Sequence, residues 1–470
     1  MQKKGPHILL INPWIYDFAA HDLWAKPLGL LLLAGVLRFH GYRLRLVDCL
    51  DVYDPRMRQI PGTRPATRRA FGTGKFYRTP VDKPPALSHV HRTYWRFGIT
   101  PELFVERVLA GERPDVVLVT SGMTYWYPGV HECIRMVKEH FPRAPVVLGG
   151  VYASLCREHA IRYSGADCVV AGPGERCIPE LVEKLTGRTR RKPVREEQPE
   201  TLPWPAFELL DNFDYVCVLT SRGCPFRCPY CASALLYPDF VQRDPLRVAD
   251  ELHYWHETHG IVDVAFYDDA LLLHARNHIL PLLAEVQRRR LPLRFHTPNA
   301  VHLSALDADV CQVLSSSGFK TLRLGLETAD PGLQHTLGAK VKPGVLSAAM
   351  ANLANAGFAP EHIGVYLLCG LPGQDPVEVA TSIRVVRDHG ARPHLAEYSP
   401  IPGTRIWQEA LRCSAYDLAG EPLYHNNSLL PCRSERFGQE ELQWLKQLCR
   451  KGIDNADTGT HLGGRRGSSE

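Results

Sequence analysis

The most informative part of this sequence is residues 215–231, which read YVCVLTSRGCPFRCPYC. The stretch begins as an apolar run of strand length and ends in Cys224, Cys228 and Cys231, which have the spacing C-x3-C-x2-C. Three thiolates can hold three corners of a cubic iron–sulfur cluster and leave the fourth iron open, whereas ordinary 4Fe–4S ferredoxin sites take four cysteines. The stretch therefore predicts a strand followed by a loop that binds a cluster with one free iron.

A structural zinc site is the main alternative for the three cysteines. Zinc in a closed structural site takes four protein ligands, usually from two C-x2–4-C pairs or with histidines at matching spacing. No second C-x2-C pair exists, and Cys217 lies inside an apolar, strand-like run that is typical of a protein core. We therefore favour the cluster over zinc.

The composition is that of an ordinary globular protein of two or three domains. The chain has 470 residues, of which 45% are hydrophobic and 22% charged. A net charge of +5 is small for this length, so neither nucleic acid nor an anionic membrane is indicated as a partner. The longest apolar stretch, 28–37, is too short to span a bilayer. The 14 cysteines form no disulfide framework, which favours a reducing cytoplasm.

Residues 1–186 alternate between strand-like and helix-like segments. The predicted strands are 7–11, 44–47, 115–120, 146–148 and 168–171. The predicted helices are 28–40, 128–141, 156–164 and one that ends at 185. Five strands separated by helices indicate a parallel sheet covered on both faces. Residues 51–113 are rich in Pro, Arg and aromatics and predict an irregular insertion, whose aromatic residues cap the site, contact substrate or only pack.

Small residues follow several of these predicted strands, at the end of the sheet where α/β folds bind ligands. They are Ser121, Gly149, Gly150, Gly172 and Gly174. Glycines there let a ligand approach the backbone closely, although tight turns alone also favour glycine. The aromatic residues 125–127 follow the third strand and would either cover a flat cofactor or pack in the core.

The alternation restarts after residues 187–214, which are predicted to be a linker. The predicted strands are 215–220, 262–267, 293–298, 320–326, 362–369 and 395–400. The predicted helices are 247–259, 274–290, 307–317, 343–357 and 375–389. Six βα units are too few for a closed eight-stranded barrel and predict an open, partial TIM barrel over 215–405. A helical extension over 406–452 and a disordered tail over 453–470 are expected to follow.

The motifs along residues 7–410 resemble those of the radical S-adenosylmethionine (SAM) superfamily, in the group that carries a cobalamin-binding domain. Besides the cysteines, the resemblance rests on the segments 11–13, 26–30, 147–150, 171–175, 202–206, 266–269, 325–328, 370–373 and 399–404. It implies an α/β protein with an N-terminal flavodoxin-like sheet domain of the cobalamin-binding type. The partial barrel would follow this domain.

The resemblance implies a role for each residue of the cysteine stretch. Cys224, Cys228 and Cys231 would ligate a 4Fe–4S cluster, and its open iron would bind the amino and carboxylate groups of SAM. Tyr230, the aromatic residue before the last cysteine, would lie beside the adenine. The stretch follows the first strand of the predicted barrel, where barrel enzymes place their chemistry.

The resemblance also assigns SAM contacts to strand ends of the barrel. Asp268 and Asp269 would bind the methionine end of SAM, whose ammonium suits a carboxylate. Glu327 would face the ribose or the amino group, and the loop from Gly370 to Gly373 would let the adenine approach. A helix N-cap is the alternative role for the two aspartates.

Cobalamin is a further cofactor that the resemblance implies, held by the five strand-end residues of the first domain. The fold alone does not fix this function. Many domains of this type supply a lower axial histidine in a D-x-H-x-x-G motif, and this chain lacks it: the loop after the first strand is 12–17, and His21 and Asp22 follow in the wrong order. Cobalamin, if bound, would then have no histidine ligand from the protein.

The resemblance implies an enzyme that starts radical chemistry on a small-molecule substrate. One electron, from a donor such as flavodoxin or ferredoxin, would cleave SAM and yield a 5′-deoxyadenosyl radical. Cobalamin-dependent methyl transfer is the first hypothesis for the reaction. The alternatives are a radical SAM cyclase, oxidase or rearrangement enzyme without cobalamin, and a non-enzymatic iron–sulfur protein. Nothing in the sequence identifies the substrate.

Overall fold

The computed structural model describes residues 5–188 and 203–450. In the first range the strands are β1 His7–Asn12, β2 Ile15–Asp17, β3 Arg43–Asp48, β4 Thr67–Arg68, β5 Gly74–Lys75, β6 Arg78–Val81, β7 Tyr94–Phe97, β8 Val116–Val119, β9 Val146–Leu148 and β10 Cys168–Val169. The helices are α1 Leu28–Phe39, α2 Pro101–Leu109, α3 Tyr127–His140, α4 Val151–Leu155, α5 Arg157–Tyr163 and α6 Ile178–Thr186.

The second range continues the numbering. Its strands are β11 Tyr215–Val218, β12 Ser221–Arg222, β13 Val241–Gln242, β14 Asp263–Phe266, β15 Arg294–His296, β16 Val301–His302, β17 Phe319–Glu327, β18 Ile363–Cys369 and β19 Arg392–Glu397. Its helices are α7 Ser233–Leu236, α8 Pro245–His259, α9 Ile279–Arg288, α10 Ala308–Ser316, α11 Pro331–Thr336, α12 Val345–Asn355, α13 Pro376–Asp388, α14 Trp407–Cys413 and α15 Gln439–Arg450.

The first sheet is parallel and has the strand order β10-β9-β8-β1-β3. Successive side chains of a strand point to opposite faces. In β1, Leu9 and Ile11 pack on one face with residues of α2 and α3, while Ile8 and Leu10 pack on the other with residues of α1 and α6. The five predicted strands and the covering of both faces are therefore confirmed.

Residues 51–113 are more ordered than the sequence predicted. β7 pairs with both β2 and β6 in an antiparallel sheet, and helix α2 packs on one face of the first sheet. The hydroxyl of Thr100 accepts a hydrogen bond from Leu103 N and caps α2, and Pro101 occupies its first turn. The sequence predicts an irregular insertion because the signals for these short strands and for the helix cap stand among many prolines and arginines.

The aromatic residues of this insertion pack rather than face a cavity. Phe76, Tyr77 and Tyr94 are almost fully buried and belong to three apolar clusters. The ring of Trp95 lies under the guanidinium of Arg78, 4.5 Å from its centre. Of the predicted alternatives for these aromatic residues, the structure therefore shows packing.

The second sheet is an open parallel barrel with the strand order β11-β14-β15-β17-β18-β19, and the short β16 also pairs with β17. Because β11 and β19 stand at opposite edges without pairing, the predicted partial barrel is confirmed. Helix α9 begins five residues later than predicted, at Ile279, because His274 has a left-handed conformation and a 3-10 turn follows it. Helix α15 packs on α13 and β19.

The described part of the predicted linker is packed against both domains. Ala206 and Phe207 are fully buried, and Ala206 N donates to the carbonyl of Leu31 in α1. Phe207 also lies edge-on to Trp255 of α8. Residues 189–202 of this linker and the predicted tail 453–470 lie outside the described residues. Across 5–188 and 203–450, every helix is too short or too polar to cross a membrane.

Candidate functional site

The three cysteines lie on the loop that follows β12. Gly223 opens the loop with a φ of +76°, and a Cβ there would lie 2.3 Å from the carbonyl oxygen of Asp239, so only glycine fits. Within the loop, Cys231 N donates to Cys228 O at 3.2 Å. Cys224, Cys228 and Cys231 together line one cavity of about 370 Å³, which we call the cysteine cavity.

The cysteine cavity also contains a cation and a carboxylate. Lys340 Nζ lies 4.0 Å from Glu327 Oε1 and 3.5 Å from the hydroxyl of Tyr230. Burial raises the pKa of Glu327. Burial alone would lower the pKa of Lys340, but the Glu327 carboxylate and the thiols of Cys228 and Cys231 outweigh it and raise that pKa. The cavity therefore provides groups for a ligand that carries both signs of charge.

The three cysteines are not arranged as a binding site for a single metal ion. Among residues 5–188 and 203–450, no three His, Cys, Asp or Glu side chains are grouped so that they could hold a single metal ion. A structural zinc site needs four ligands at about 2.0–2.3 Å from the metal. A cubic cluster instead binds each thiolate to a separate iron. Three thiols around one cavity fit such a cluster and leave one iron for another ligand.

The two neighbouring aspartates have different surroundings. Asp269 lines the cysteine cavity, and burial raises the pKa of its carboxyl group. Asp268 is 2% exposed and accepts hydrogen bonds from Thr220 Oγ1 at 2.7 Å and Ser221 Oγ at 2.6 Å, as well as from both backbone N–H groups. Neither aspartate caps a helix. The structure thus brings only Asp269 to the cavity.

The loop after β18 also lies outside the cysteine cavity. Gly370 has a φ of +80°, and a Cβ there would lie 2.6 Å from the side chain of Leu430. Gly373 has a φ of +67° in the following turn, with no other atom within 4 Å of a Cβ. Of the residues predicted to contact SAM, the structure groups Tyr230, Asp269 and Glu327 around the cysteines.

Several further side chains of the cysteine cavity were missed by sequence reasoning. Among them are Phe226, His302 and Lys340. The rings of Phe226 and His302 lie 4.2 Å apart, and burial lowers the pKa of His302 to about 4. Lys340 follows α11 in a segment that passes the cysteine loop, since a Cβ on Gly338 would lie 3.9 Å from Cys228 Cα. No local sequence pattern marks this approach.

A second cavity, of about 660 Å³, lies between the two sheets; we call it the interdomain cavity. It is lined from the first domain by Asn12, Asp17, His21, Lys26, Ser121, Tyr125, Trp126, Gly150 and Gly172 among others. From the barrel it is lined by Ser221, Arg222, Ser233, Tyr237, Tyr267 and Asp269, and beyond the barrel by Asn427. Most of these residues follow strands, so the cavity is at the carboxyl ends of both sheets.

The strand-end residues of the first domain form a cradle at this cavity. Gly150 has a φ of +94°, and a Cβ there would lie 2.4 Å from the carbonyl oxygen of Ser121. Ser121 Oγ donates to Gly149 O at 2.6 Å. Gly149, Gly172 and Gly174 line a smaller adjoining cavity of about 110 Å³ together with Gly150. Gly150 is thus required by its close contact with Ser121, whereas a Cβ on Gly172 would meet no atom within 4 Å, so the backbone is open to a ligand at Gly172.

The aromatic residues 125–127 have two different surroundings. Tyr125 and Trp126 line the interdomain cavity. Tyr127 instead stacks on Tyr152, with 5.6 Å between the ring centres. His21 lies at the cavity as well, with an exposed side chain, and is the one histidine among the described residues that line it.

The two cavities share a wall. Ser233 and Asp269 line both the cysteine cavity and the interdomain cavity. A ligand held by the cysteine loop would therefore be the immediate neighbour of a ligand held between the sheets.

Comparison with known proteins agrees with this architecture. A model of the B12 binding domain matches residues 91–182, and one of the radical SAM superfamily matches residues 218–386. The chain belongs to the radical SAM superfamily. The chain is therefore a radical SAM enzyme with a B12-binding domain. The hypothesis of a non-enzymatic iron–sulfur protein has no support.

Several relatives of this radical SAM protein are methyltransferases by name. An uncharacterized methyltransferase of Pyrococcus horikoshii is 24% identical over 392 residues, 75% of this chain and 82% of the relative. The cytidylyl-2-hydroxyethylphosphonate methyltransferase of Streptomyces wedmorensis is 22% identical over 476 residues, 87% and 82% of the two chains. An anaerobic magnesium-protoporphyrin IX monomethyl ester cyclase of Synechocystis is 31% identical over 198 residues, 35% and 38% of the two chains.

The fold of the whole chain has a counterpart among solved structures. The radical SAM methyltransferase TsrM of Kitasatospora setae, with cobalamin and a [4Fe-4S] cluster bound, superposes with a TM-score of 0.66. The match covers 94% of this chain and 91% of TsrM at 17% identity, which shows a shared fold. The same arrangement of a B12-binding domain and a radical SAM barrel is therefore present in both.

Proposed function

We propose that this radical SAM enzyme is a cobalamin-dependent methyltransferase that acts on a small-molecule substrate. The observation that carries the proposal is the wall shared by the two cavities, at Ser233 and Asp269. When bound, the cluster and SAM supply reductive generation of a carbon radical, and cobalamin supplies the methyl group. Adjacent cavities would allow both groups to reach one substrate carbon, which is the positioning that such cofactors require of the protein.

The side chains that line the cysteine cavity would bind both the cluster and SAM. Cys224, Cys228 and Cys231 would hold the cluster. SAM is a zwitterion at its methionine end, so Asp269 would pair with the ammonium and Lys340 with the carboxylate through charge-assisted hydrogen bonds. The low dielectric of a largely buried cavity strengthens such pairs.

In the interdomain cavity, cobalamin would be bound mainly through the shape of the glycine-containing backbone and only secondarily through charged groups. Gly172, with no atom within 4 Å of a Cβ, would let the corrinoid lie directly on a strand end, and Gly150 would allow the close packing of the cradle on Ser121. Trp126 would cover part of it with a flat, apolar ring. The substrate would then enter between this cavity and the cysteine cavity, near Asp269.

An external electron donor completes the proposal. Reduction of a cluster on the cysteine loop would come from a small electron-transfer protein such as flavodoxin or ferredoxin. We further propose a reducing cytoplasm as the place of action, because 14 cysteines without a disulfide framework and an oxygen-sensitive cluster both favour it.

The test is anaerobic reconstitution of the full chain with iron, sulfide and hydroxocobalamin. We expect bound cluster, bound corrinoid, and release of 5′-deoxyadenosine from SAM on reduction. Cells fed methyl-deuterated methionine, with and without the protein, should differ in one metabolite that gains a labelled methyl group. Reduced, cluster-loaded protein that releases no 5′-deoxyadenosine would contradict the radical SAM part of the proposal.

A radical SAM cyclase without cobalamin is the second candidate. The similarity to the Synechocystis cyclase supports the cyclase part of this candidate, since it covers a third of this chain at a higher identity than the methyltransferases named above. Release of 5′-deoxyadenosine from protein that binds no corrinoid, with a product that gains no methyl group, would favour this candidate over methyl transfer.

A further inference from the structure

Asp17 carries a buried carboxylate that joins three separate segments of the chain. Its Oδ2 accepts a hydrogen bond from Trp126 Nε1 at 2.8 Å. Its Oδ1 accepts from Asn426 Nδ2 at 2.8 Å and from Phe18 N at 2.6 Å. Asp17 is only 3% exposed. Because a buried carboxylate is costly unless it is hydrogen-bonded, these donors have to stay in place around it.

One of the three segments, residues 414–431, belongs to the C-terminal part of the chain but packs on the N-terminal domain; we call it the strap. Its two ends meet, since Ser414 Oγ donates to Pro431 O at 2.8 Å. Leu423 and Leu429 of the strap share an apolar cluster with Phe18. The strap is therefore a closed loop that crosses from the barrel to the first domain.

Polar contacts hold the strap on the helix that follows β8. The imidazole Nδ1 of His425 lies 2.9 Å from Thr124 Oγ1, and the hydroxyl of Tyr127 donates to Glu421 Oε1 at 3.0 Å. Asn427, the neighbour of the residue that Asp17 holds, lines the interdomain cavity. Asp17 and Trp126 line the same cavity. Asp17 thus connects two other parts of this cavity wall, Trp126 directly and Asn427 through its neighbour Asn426.

We propose that Asp17 is a positioning residue, which seats the strap and the Trp126 ring as one wall of the interdomain cavity and thereby sets its affinity for a corrinoid. The corrinoid part of this inference rests on the proposed function. The seating of the strap does not, because it concerns contacts within the protein itself.

An aspartate suits this role better than its nearest substitute. Its two oxygens accept all three hydrogen bonds. An asparagine has nearly the same volume but one acceptor oxygen, and its amide would face a donor from Trp126 or from Asn426. Asp17→Asn should therefore release at least one of these two donors without leaving a large cavity.

The first measurement is hydrogen exchange of the protein without added cofactors, read by mass spectrometry. In Asp17→Asn we expect amides of the strap to exchange about tenfold faster, because a hydrogen bond to a charged group is lost, while amides of β14 and β18 keep their rates. A general loss of stability would instead accelerate exchange in the barrel strands as well.

The second measurement is titration with hydroxocobalamin, followed by its absorbance. We expect Asp17→Asn to bind about tenfold more weakly than the parent protein. Asp263→Asn is the matched control, because Asp263 is also a buried carboxylate with hydrogen-bond partners, Arg294 and His296, but lies outside the interdomain cavity. We expect the control to keep parental corrinoid affinity and parental strap exchange.

Parental strap exchange and parental corrinoid affinity in Asp17→Asn would overturn the inference. If that variant does not fold, Asn426→Ala removes one buried donor of the strap and should reproduce both effects more weakly. If the parent protein binds no corrinoid, the proposed function fails in that respect, whereas the exchange experiment still decides the role of Asp17.

Discussion

The cysteine cavity takes its thiols from one short loop, whereas the interdomain cavity is assembled from segments near both ends of the chain. The first contains Lys340 and Glu327 as a close pair of opposite charges. The second has glycine backbone and aromatic rings at the strand ends of the first domain. Under the proposed function, the charged pair would select a small zwitterion, while glycine backbone and flat rings would select a large planar ligand. The two neighbouring cavities would then recognise their ligands by different physical means.

We expect the strongest effect from a variant that loses the cluster but keeps the interdomain cavity intact. We expect Cys228→Ala to lose the cluster and more than about 100-fold of 5′-deoxyadenosine release, because thiolates hold the cluster to the protein. Corrinoid binding should persist, since Cys228 does not line the interdomain cavity. Iron analysis, 5′-deoxyadenosine assay and hydroxocobalamin titration test this together.

The control for that variant is Cys177→Ala. Cys177 is exposed and lines neither cavity, so the variant should keep its iron content. A cluster that survives in Cys228→Ala would show that another group serves as the ligand.

The converse variant is Gly150→Ala, which should close the interdomain cavity and spare the cluster. A Cβ would meet Ser121 O at 2.4 Å at a φ of +94°, so the backbone of the cradle has to shift. We expect corrinoid affinity to fall at least about tenfold, with unchanged iron content. Gly62→Ala has a similar φ of +77° and no atom within 4 Å of the new Cβ, so it controls for backbone strain alone.

Variants of the neighbouring aspartates should have effects of intermediate size. One should lower the free energy of unfolding and the other the affinity for SAM. We expect Asp268→Asn to lower the free energy of unfolding by about 2 kcal/mol, because the buried carboxylate accepts hydrogen bonds from Thr220 and Ser221. Asp269→Asn should leave unfolding by urea nearly unchanged and weaken SAM binding about tenfold. Equal loss of SAM affinity in both variants would contradict the assignment of Asp269 as the one that faces the ligand.

The pH dependence of SAM binding sharpens the same contrast. Burial raises the pKa of Asp269 above its usual value of 3.8. A raised pKa means that the carboxylate takes up its proton at a higher pH, so its pairing with the SAM ammonium should be lost as the pH falls through that pKa. Equilibrium binding of SAM between pH 4 and 8 should weaken on the acid side in the parent protein, and Asp269→Asn should reduce this dependence, leaving the contribution of Glu327, whose pKa burial also raises.

The smallest expected effect concerns His21 in the interdomain cavity. The chain lacks the histidine motif for a lower axial ligand, and His21 is exposed where it lines the cavity. We therefore expect the electron paramagnetic resonance spectrum of bound cob(II)alamin to be unchanged in His21→Ala. Loss of a nitrogen splitting in that variant would identify His21 as a cobalt ligand.

The class of the protein and the place of the cysteines could be predicted from local sequence patterns. Spacing along a short loop is a local property, so C-x3-C-x2-C could be recognised without the fold. The apolar runs that predicted both parallel sheets are local as well, and the predicted strands from His7 to Glu397 were found. Short caps and hairpins inside 51–113 were missed, because each involves only a few residues.

Tertiary structure alone decided which side chains meet. It turned Asp269 toward the cysteines and Asp268 away from them, although the two are adjacent in sequence. It brought Lys340 to Glu327, and it placed Asn426 against Asp17, 409 positions away. Such contacts depend on how whole elements pack, and a pair of residues so far apart leaves no period or spacing in the sequence that could reveal it.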